Sequence, residues 1–140
     1  MSMWIHVAAV VRIDSFGAVS DGQIEDIFGK QCLWADDKEV WEHMTDFPEQ
    51  YLLMGSEGSL QLSVWHNPVE TDMPSTVVTI FGDLRDVYDP NEAVNWFKQK
   101  CELCDTQLII RQAIISVTNG FEPAVTYVYE NQNEDEKDER

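Results

Sequence analysis

Residues 4–13 read Trp-Ile-His-Val-Ala-Ala-Val-Val-Arg-Ile, and this stretch decides the fold. It is rich in β-branched residues and its side chains alternate weakly in character, which predicts a buried first strand. Since neighbouring side chains of a strand point to opposite faces, the run supplies one set of residues to each side of a sheet. Both sets are largely apolar, so we expect both faces of the sheet to need cover.

Seven further elements are predicted after this strand. Apolar residues at helical spacing predict helices at 21–29, 36–46 and 90–102, the first capped by Asp21 and the last by Asp89. Alternating or β-branched runs predict strands at 60–66, 76–84, 107–117 and 124–129. Asn119-Gly120 is a turn signal, which predicts that the last two strands form a hairpin.

The order of these elements predicts an α+β domain. A strand, a helix in two pieces, two strands, a helix and a strand match the ferredoxin-like βαββαβ pattern, followed here by an extra C-terminal strand. We expect a single, mostly antiparallel sheet with the helices on one face. The helix-covered face would use Ile5, Val7, Ala9, Val11, Leu60, Leu62, Val64, Val78 and Ile80.

The opposite face of the sheet is too apolar to be left in water. Contiguous exposed apolar surface usually marks an interface, which predicts a homodimer or a bound ligand there. Large aromatic side chains often anchor such surfaces, so Trp4, Trp65 and Phe81 are the interface candidates. The whole face would show Trp4, His6, Ala8, Val10, Arg12, Trp65, Thr79 and Phe81.

The chain is strongly acidic, with a net charge of −17 over 140 residues. Residues 130–140 hold six acids and two bases, a net charge of −4, which leaves −13 on the rest. We expect one α+β domain at residues 1–130 and a disordered acidic tail at 131–140. Such a field repels nucleic acid and anionic lipid and attracts basic surfaces, so the expected partner is a basic protein.

The sequence gives no sign of secretion, membrane insertion or a metal site. No apolar run has the length of a membrane span, and the N-terminus lacks the pattern of a signal peptide, so we expect a cytoplasmic protein. Cys101 and Cys104 form a CxxC at the end of a predicted helix, where the helix dipole disfavours a thiolate. With Cys32 the cysteine count is odd, so we expect structural cysteines, no disulfide framework, no bound metal and no cofactor.

Three of the four arginines, Arg12, Arg85 and Arg111, fall within or at the end of predicted strands. Since an unpaired charge on a buried strand is costly, one interpretation pairs them with the abundant carboxylates. The other is a cationic pocket for an anionic small molecule such as a nucleotide, because the planar guanidinium suits phosphate. The remaining residues assigned to that pocket are His6, Ser56, Glu57 and Asp83.

Two short segments contain residues that could bind an anion or catalyse hydrolysis. The turn Gly55-Ser56-Glu57-Gly58 matches neither a nucleophile elbow nor a P-loop, although its backbone amides could form an anion-binding nest. Asp83 and Asp86 flank Arg85 at a strand end, either as a salt-bridged loop or, with Glu57, as carboxylates of a small hydrolase. No nucleophile, base and orienting group are linked in the pattern, so we predict no catalytic residue.

Several segments resemble small acidic proteins encoded by phages of Gram-positive bacteria. They read MGSEGSL at 54–60, SVW at 63–65 and IFGDLRD at 80–86, and the resemblance covers about residues 1–130. It implies no activity and no functional residue, but it implies a context in which small accessory proteins often inhibit host defence. We therefore expect a non-enzymatic anti-defence protein that inhibits a basic host protein, as an anti-CRISPR protein or nucleic-acid mimic does. The alternatives are a nucleotide-sequestering protein and a small hydrolase.

Overall fold

The computed structural model describes residues 3–14, 19–31, 38–66, 75–87 and 89–130, with only the backbone for residues 38–41. The strands are β1 (Trp4–Asp14), β2 (Gln61–His66), β3 (Ser75–Arg85), β4 (Ile109–Thr118) and β5 (Val125–Tyr129). The helices are α1 (Asp21–Phe28), α2 (Lys38–Asp46) and α3 (Pro90–Asp105), and a short 3-10 helix, η1, spans Pro48–Gln50. Each predicted helix and strand has a counterpart at its predicted place.

The five strands form one open antiparallel sheet in the order β2-β3-β1-β4-β5. The central strand β1 pairs with β3 from Trp4 to Asp14 and with β4 from His6 to Asp14. The predicted hairpin is confirmed, since β4 pairs antiparallel with β5. The fold is therefore α+β as predicted, and it departs from a plain βαββαβ unit in having α2 before β2 and β5 at the edge.

Local capping explains where the helices begin and end. Asp89 is the N-cap of α3 as predicted, and its carboxylate accepts a hydrogen bond from Asn91 N at 2.9 Å. The predicted cap of α1 is wrong by one residue, because the Ser20 hydroxyl accepts from Gln23 N and Asp21 is the first helical residue. Helix α2 ends at Asp46, immediately before the Phe47-Pro48 pair that disfavours a further helical turn.

The core lies between one face of the sheet and the helices. Along β1 the residues from Trp4 to Ile13 alternate strictly between exposed and buried, which confirms the predicted two-sided strand. The residues predicted to face the helices are buried or packed against the core. Ile24 and Phe28 of α1 and Phe97 of α3 are fully buried in the same cluster. Burial of each such side chain stabilises the fold by roughly 1.5–3 kcal/mol.

Helices α1, α2 and α3 and the η1 helix form one layer, here called the helical layer. Met44 of α2, Glu49 of η1 and Trp96 of α3 line one cavity, which places these three elements side by side. Helix α3 also contacts α1 and lies against β4 and β5. Residues 67–74, Cys32 and the predicted tail at 131–140 lie outside the described residues.

The end of β3 differs from the prediction. The sequence predicts a strand at 76–84, whereas β3 spans Ser75–Arg85 and so continues one residue further. A Cβ atom on Gly82 would lie 3.0 Å from the carbonyl oxygen of Ser59. The missing side chain therefore lets β3 run on beneath the segment that leads into β2, and this extension positions Asp83 and Arg85.

Two glycines with nearly the same φ angle test how tightly the 55–58 turn packs on β3. Gly58 and Gly120 have φ of +82° and +83°, but a Cβ on Gly58 would lie 2.2 Å from the Asp83 carbonyl oxygen, and a Cβ on Gly120 meets nothing within 4 Å. We predict that Gly120→Ala lowers the free energy of unfolding by about 1 kcal/mol, from backbone strain alone. Gly58→Ala should lower it by about 3 kcal/mol, because steric overlap adds to that strain. Urea denaturation followed by tryptophan fluorescence measures both, and equal losses would contradict the close packing.

Candidate functional site

The face of the sheet opposite the helices, here called the open face, carries a continuous apolar surface. The three predicted interface aromatics, Trp4, Trp65 and Phe81, all point to this face and are 37–55% exposed. Val10, Ile114 and Val128 add aliphatic surface that is 42–57% exposed. Large apolar side chains with this much exposure on one face are typical of a binding surface.

The strand register arranges these side chains in rows across the sheet. In the first row Thr79, Val10, Ile114 and Val128 come from β3, β1, β4 and β5 in that order. In the next row Phe81 is opposite Ala8, and Ala8 is opposite Ser116. The surface therefore alternates between a row rich in large aliphatic groups and a row with small residues at its centre.

A β-bulge at one end of the open face turns a second polar side chain outward. Arg12 is opposite Gln112 while Ile13 is opposite Ile110, so Arg111 is the extra residue of β4. As a result both Arg111 and Gln112 are exposed. The Arg111 Nε donates to Asp14 Oδ2 at 2.8 Å, and the Asp14 side chain is 13% exposed. This is the arginine–carboxylate pairing that the sequence left open as an alternative.

A groove of about 510 Å³ lies beside this bulge. Arg12 is exposed at the groove and makes no ion pair with any residue in the part of the chain that the structure describes. An arginine without such a pair beside an apolar groove can hold an organic anion, because its guanidinium offers several donors. The groove is lined by Val10, Arg12, Val77, Arg111, Ile114 and Val128 among others.

Arg85 lies at the other end of the sheet from Arg12. Arg12 is opposite Val77 in β3, eight residues from Arg85, a distance of roughly 27 Å along the strand. The Arg85 Nη1 donates to Glu57 Oε1 at 2.6 Å. The prediction that one pocket gathers Arg12, Arg85 and Arg111 is therefore wrong, because the register separates them. The binding role assigned to each arginine by itself remains a prediction.

The predicted anion nest at residues 55–58 is engaged within the fold. Gly55 N donates to the Gly58 carbonyl oxygen at 3.0 Å, and Ser56 N donates to the Arg85 carbonyl oxygen at 2.9 Å. The Ser56 hydroxyl donates to Asp86 Oδ2 at 2.6 Å. These bonds fasten the turn to the end of β3, so two of its amides and its hydroxyl are already used.

His6 forms a second polar pair near the same end of the sheet. Its Nδ1 lies 2.6 Å from Asp83 Oδ1, and both side chains are at least half exposed. His6 and Asp83 are directly opposite each other on β1 and β3. Glu57 and Asp86 both contact Arg85, at 2.6 and 3.9 Å, so each of the three carboxylates considered for hydrolysis is engaged in an ion pair.

The helical layer contains a cavity that the sequence reasoning missed. It has a volume of about 400 Å³ and includes Met44, Trp96 and Lys100 in its wall. The Lys100 Nζ donates to the Glu49 carbonyl oxygen at 2.9 Å. Burial lowers the pKa of Lys100, and the nearby Glu49 carboxylate opposes that shift. The sequence pattern could have indicated this, because Lys100 lies three residues after Phe97 and four before Cys104 and so falls on the buried side of α3.

Cys101 and Cys104 are buried in the last turn of α3, as predicted for structural cysteines. Burial raises the pKa of both thiols, that of Cys104 to about 12, with a further contribution from the charge of Asp105. Tyr129 covers this region and donates its hydroxyl to Asp105 Oδ2 at 2.6 Å. Within the described ranges no group of three or more His, Cys, Asp or Glu side chains is placed to hold a metal ion.

Charge is divided unevenly between the two sides of the molecule. Among the described side chains, the helices and their caps carry nine exposed carboxylates and one exposed lysine, Lys98. On the open face the described strand residues include one exposed carboxylate, Asp83, together with Arg12 and Arg111, and the exposed Glu130, directly after β5, lines the groove beside Arg12. The nine acids of the helical layer are Asp21, Glu25, Asp26, Glu42, Asp46, Glu49, Asp89, Glu92 and Glu102.

Comparison of the chain with protein-family models, with curated proteins and with solved structures produced no match. None of the described helices combines the length and apolar composition that crossing a lipid bilayer requires.

The buried cysteines give a direct chemical test of the α3 packing. In a Cys32→Ser background we predict that Cys101 and Cys104 react with Ellman's reagent at pH 8 at least 100-fold more slowly than a free thiol. The reason is that burial excludes the reagent and the raised pKa leaves little thiolate. In 6 M guanidinium both thiols should react at once. Fast reaction of either thiol in the native protein would show that the end of α3 is open.

Proposed function

We propose that this chain is a non-enzymatic protein that binds and inhibits a basic protein through its helical layer. The observation that supports this proposal is the division of charge: among the described side chains, the helices and their caps carry nine exposed carboxylates and one exposed lysine, Lys98. A surface of one sign attracts a surface of the opposite sign and raises the rate of association. A partner that normally binds nucleic acid offers such a basic surface.

The spacing of these acids favours recognition by a broad basic surface over a single ion pair. Asp21, Glu25 and Asp26 lie on α1, while Glu92 and Glu102 lie ten residues apart on α3, roughly 15 Å. Exposed charges this far apart act on a partner independently, because the Debye length is about 8 Å at physiological salt. A row of phosphates presents separated negative charges in the same way, which supports the nucleic-acid-mimic version of the proposal.

Three further features belong to the same proposal. The resemblance to small phage proteins supports a phage-encoded accessory factor that acts against host defence in the host cytoplasm. The architecture is proposed to be an elaborated ferredoxin-like domain, because the run β2-β3-β1-β4 is antiparallel throughout and α3 connects β3 to β4. In that description α2 and β5 are additions.

A matched pair of variants tests the helical layer as the binding surface. Glu25→Gln/Glu102→Gln and Glu122→Gln/Glu130→Gln change the net charge equally, but only the first pair lies on the helices. Partners are captured from a lysate of the host, purified, and titrated against each variant at 50 and 300 mM salt. We predict a basic partner whose affinity for the wild-type chain falls at least tenfold between 50 and 300 mM salt. Its affinity for Glu25→Gln/Glu102→Gln should be at least threefold below the wild-type value, while its affinity for Glu122→Gln/Glu130→Gln should not change.

Inhibition is measured in the same experiment as loss of the partner's nucleic-acid binding when the wild-type chain is added. Salt-independent affinity, an equal loss in both variants, or the capture of acidic proteins only would overturn the proposal. The Glu122/Glu130 variant serves as the control for the change in net charge.

A second function is favoured by Arg12. Its lack of an ion pair among the described residues, beside the groove of about 510 Å³, supports binding of an organic anion such as a nucleotide. Trp65 is in the same row of the sheet, since Val77 is opposite both Trp65 and Arg12. A base could stack on that indole while the phosphate contacts the guanidinium.

The nucleotide proposal is tested by thermal shift with a panel of mono-, di- and cyclic nucleotides at 1 mM. We predict a rise of several degrees in Tm for the wild-type chain and for Lys98→Gln, and none for Arg12→Gln, since Arg12 lines the groove and Lys98 does not. No shift with any nucleotide, or an equal shift in the Arg12→Gln variant, would sink this second function.

A further inference from the structure

We propose that two copies of this chain pack open face against open face, with the Arg12 end of each sheet over the Asp83 end of the other. This goes beyond the proposed inhibitory function, because it concerns the side of the molecule that the helical layer leaves uncovered. The result is a sandwich of two antiparallel sheets with a helical layer on each outer side.

The distribution of charge is what identifies a second copy as the occupant. A protein with a net charge of −17 ordinarily resists self-association through long-range repulsion. Here the described carboxylates of the helices all lie on the side away from the open face. In a face-to-face pair the two sheets are roughly 10 Å apart and the two helical layers roughly 30 Å apart. That separation is several times the Debye length of about 8 Å, so the acidic layers hardly repel each other.

The open face is also large enough for a stable pair. Five strands spaced at about 4.8 Å span roughly 24 Å, and the longer strands extend roughly 30 Å, giving a face of roughly 700 Å² before side-chain relief is added. A stable interface of ordinary size buries about 800 Å² on each partner. The centre of the face is apolar, with Val10, Ile114 and Val128 in one row and Phe81 beside it, which is where a stable interface needs its apolar core.

The row pattern favours one orientation over the other. A two-fold axis across the strands at Ala9 places the row of Val10 in one copy over the row of Ala8 in the other. Large aliphatic groups then meet small ones, as interdigitating sheets require. The alternative axis, parallel to the strands, places Val10 against Val10 and Arg12 against Arg12, which joins like charges.

Charge at the two ends of the sheet agrees with this orientation. Arg12 makes no ion pair within the described part of its own chain, and Asp83 is the exposed carboxylate of the described open-face strands. The same axis places Arg12 of one copy over the His6–Asp83 pair of the other, because Arg12 and His6 are each three residues from Ala9. Each interface then contains this pairing twice.

Sedimentation velocity from 1 to 200 µM at 150 mM salt tests the pair with the protein alone, so the result is independent of any basic partner. We expect the wild-type chain to move from 16.1 kDa toward twice that mass as concentration rises. Ile114→Lys on the open face should remain a monomer throughout. Leu103→Lys on α3 is the matched control, since the two residues are 43% and 42% exposed, and it should dimerise like the wild type.

A wild-type chain that stays monomeric to 200 µM would overturn the proposal, and so would loss of the dimer in Leu103→Lys with retention in Ile114→Lys. Circular dichroism and thermal unfolding establish that each variant is folded before its mass is interpreted. If Ile114→Lys does not fold, Val128→Lys on the edge strand β5 takes its place, because that side chain is 57% exposed.

The orientation is tested by exchanging charges. Arg12→Glu and Asp83→Arg should each raise the dimer dissociation constant at least fivefold, because each brings like charges together across the interface. The double variant Arg12→Glu/Asp83→Arg should recover the wild-type constant to within twofold. If the double variant loses as much dimerisation free energy as the two single variants lose together, the crossed orientation is overturned. An improved constant in Arg12→Glu alone would overturn it as well.

Discussion

The pairing of β1 with β3 and β4 along its length is the constraint on which the rest of the structure depends. Because β1 is flanked on both sides, its alternate residues are forced either into the core or onto the open face. Ile5, Val7 and Val11 meet the helices, and Trp4, Val10 and Arg12 do not. With the helices covering one side of the sheet, the apolar side chains of the other side are left exposed.

Much of the fold could be predicted because it depends on residues that are close together in the sequence. The alternation of β1, the Asp89-Pro90 start of α3 and the Asn119-Gly120 turn each act through neighbouring residues, and the structure has all three where the sequence predicts them. The small error at α1 has a local cause too, since Ser20 and Asp21 are both good caps and the pattern does not choose between them.

The grouping of polar residues could not be predicted in the same way, because it depends on strand register. The sequence places Arg12 and Arg85 on neighbouring strands, but only the antiparallel register puts them at opposite ends. The bulge at Arg111 shifts the register by one residue, and residue propensities do not predict it. Because of this shift Arg111 pairs with Asp14, while Arg12 stays exposed at the groove. Lys100 was missed for a related reason, since its acceptor, the Glu49 carbonyl oxygen, lies on a different element.

Under the two proposals, binding of a basic partner and self-association, the division of charge gives the two sides of the molecule different tasks. Carboxylates cost little on exposed helices and a great deal on a face that must be desolvated, so a chain that uses its sheet for self-association is expected to move them to the helices. The acidic side can then engage a basic partner at long range, while contact through the open face depends on apolar burial and on one charge pairing.

The most direct test of this two-sided account is the distance between the helical layers of two associated chains. A spin label at Leu103→Cys, in a Cys32→Ser background where buried Cys101 and Cys104 remain unlabelled, reports it by double electron–electron resonance. We predict a dipolar signal with a mean distance beyond about 30 Å, because two sheets and two helical layers separate the labels. A shorter mean distance, or no intermolecular signal at 200 µM protein, would contradict it.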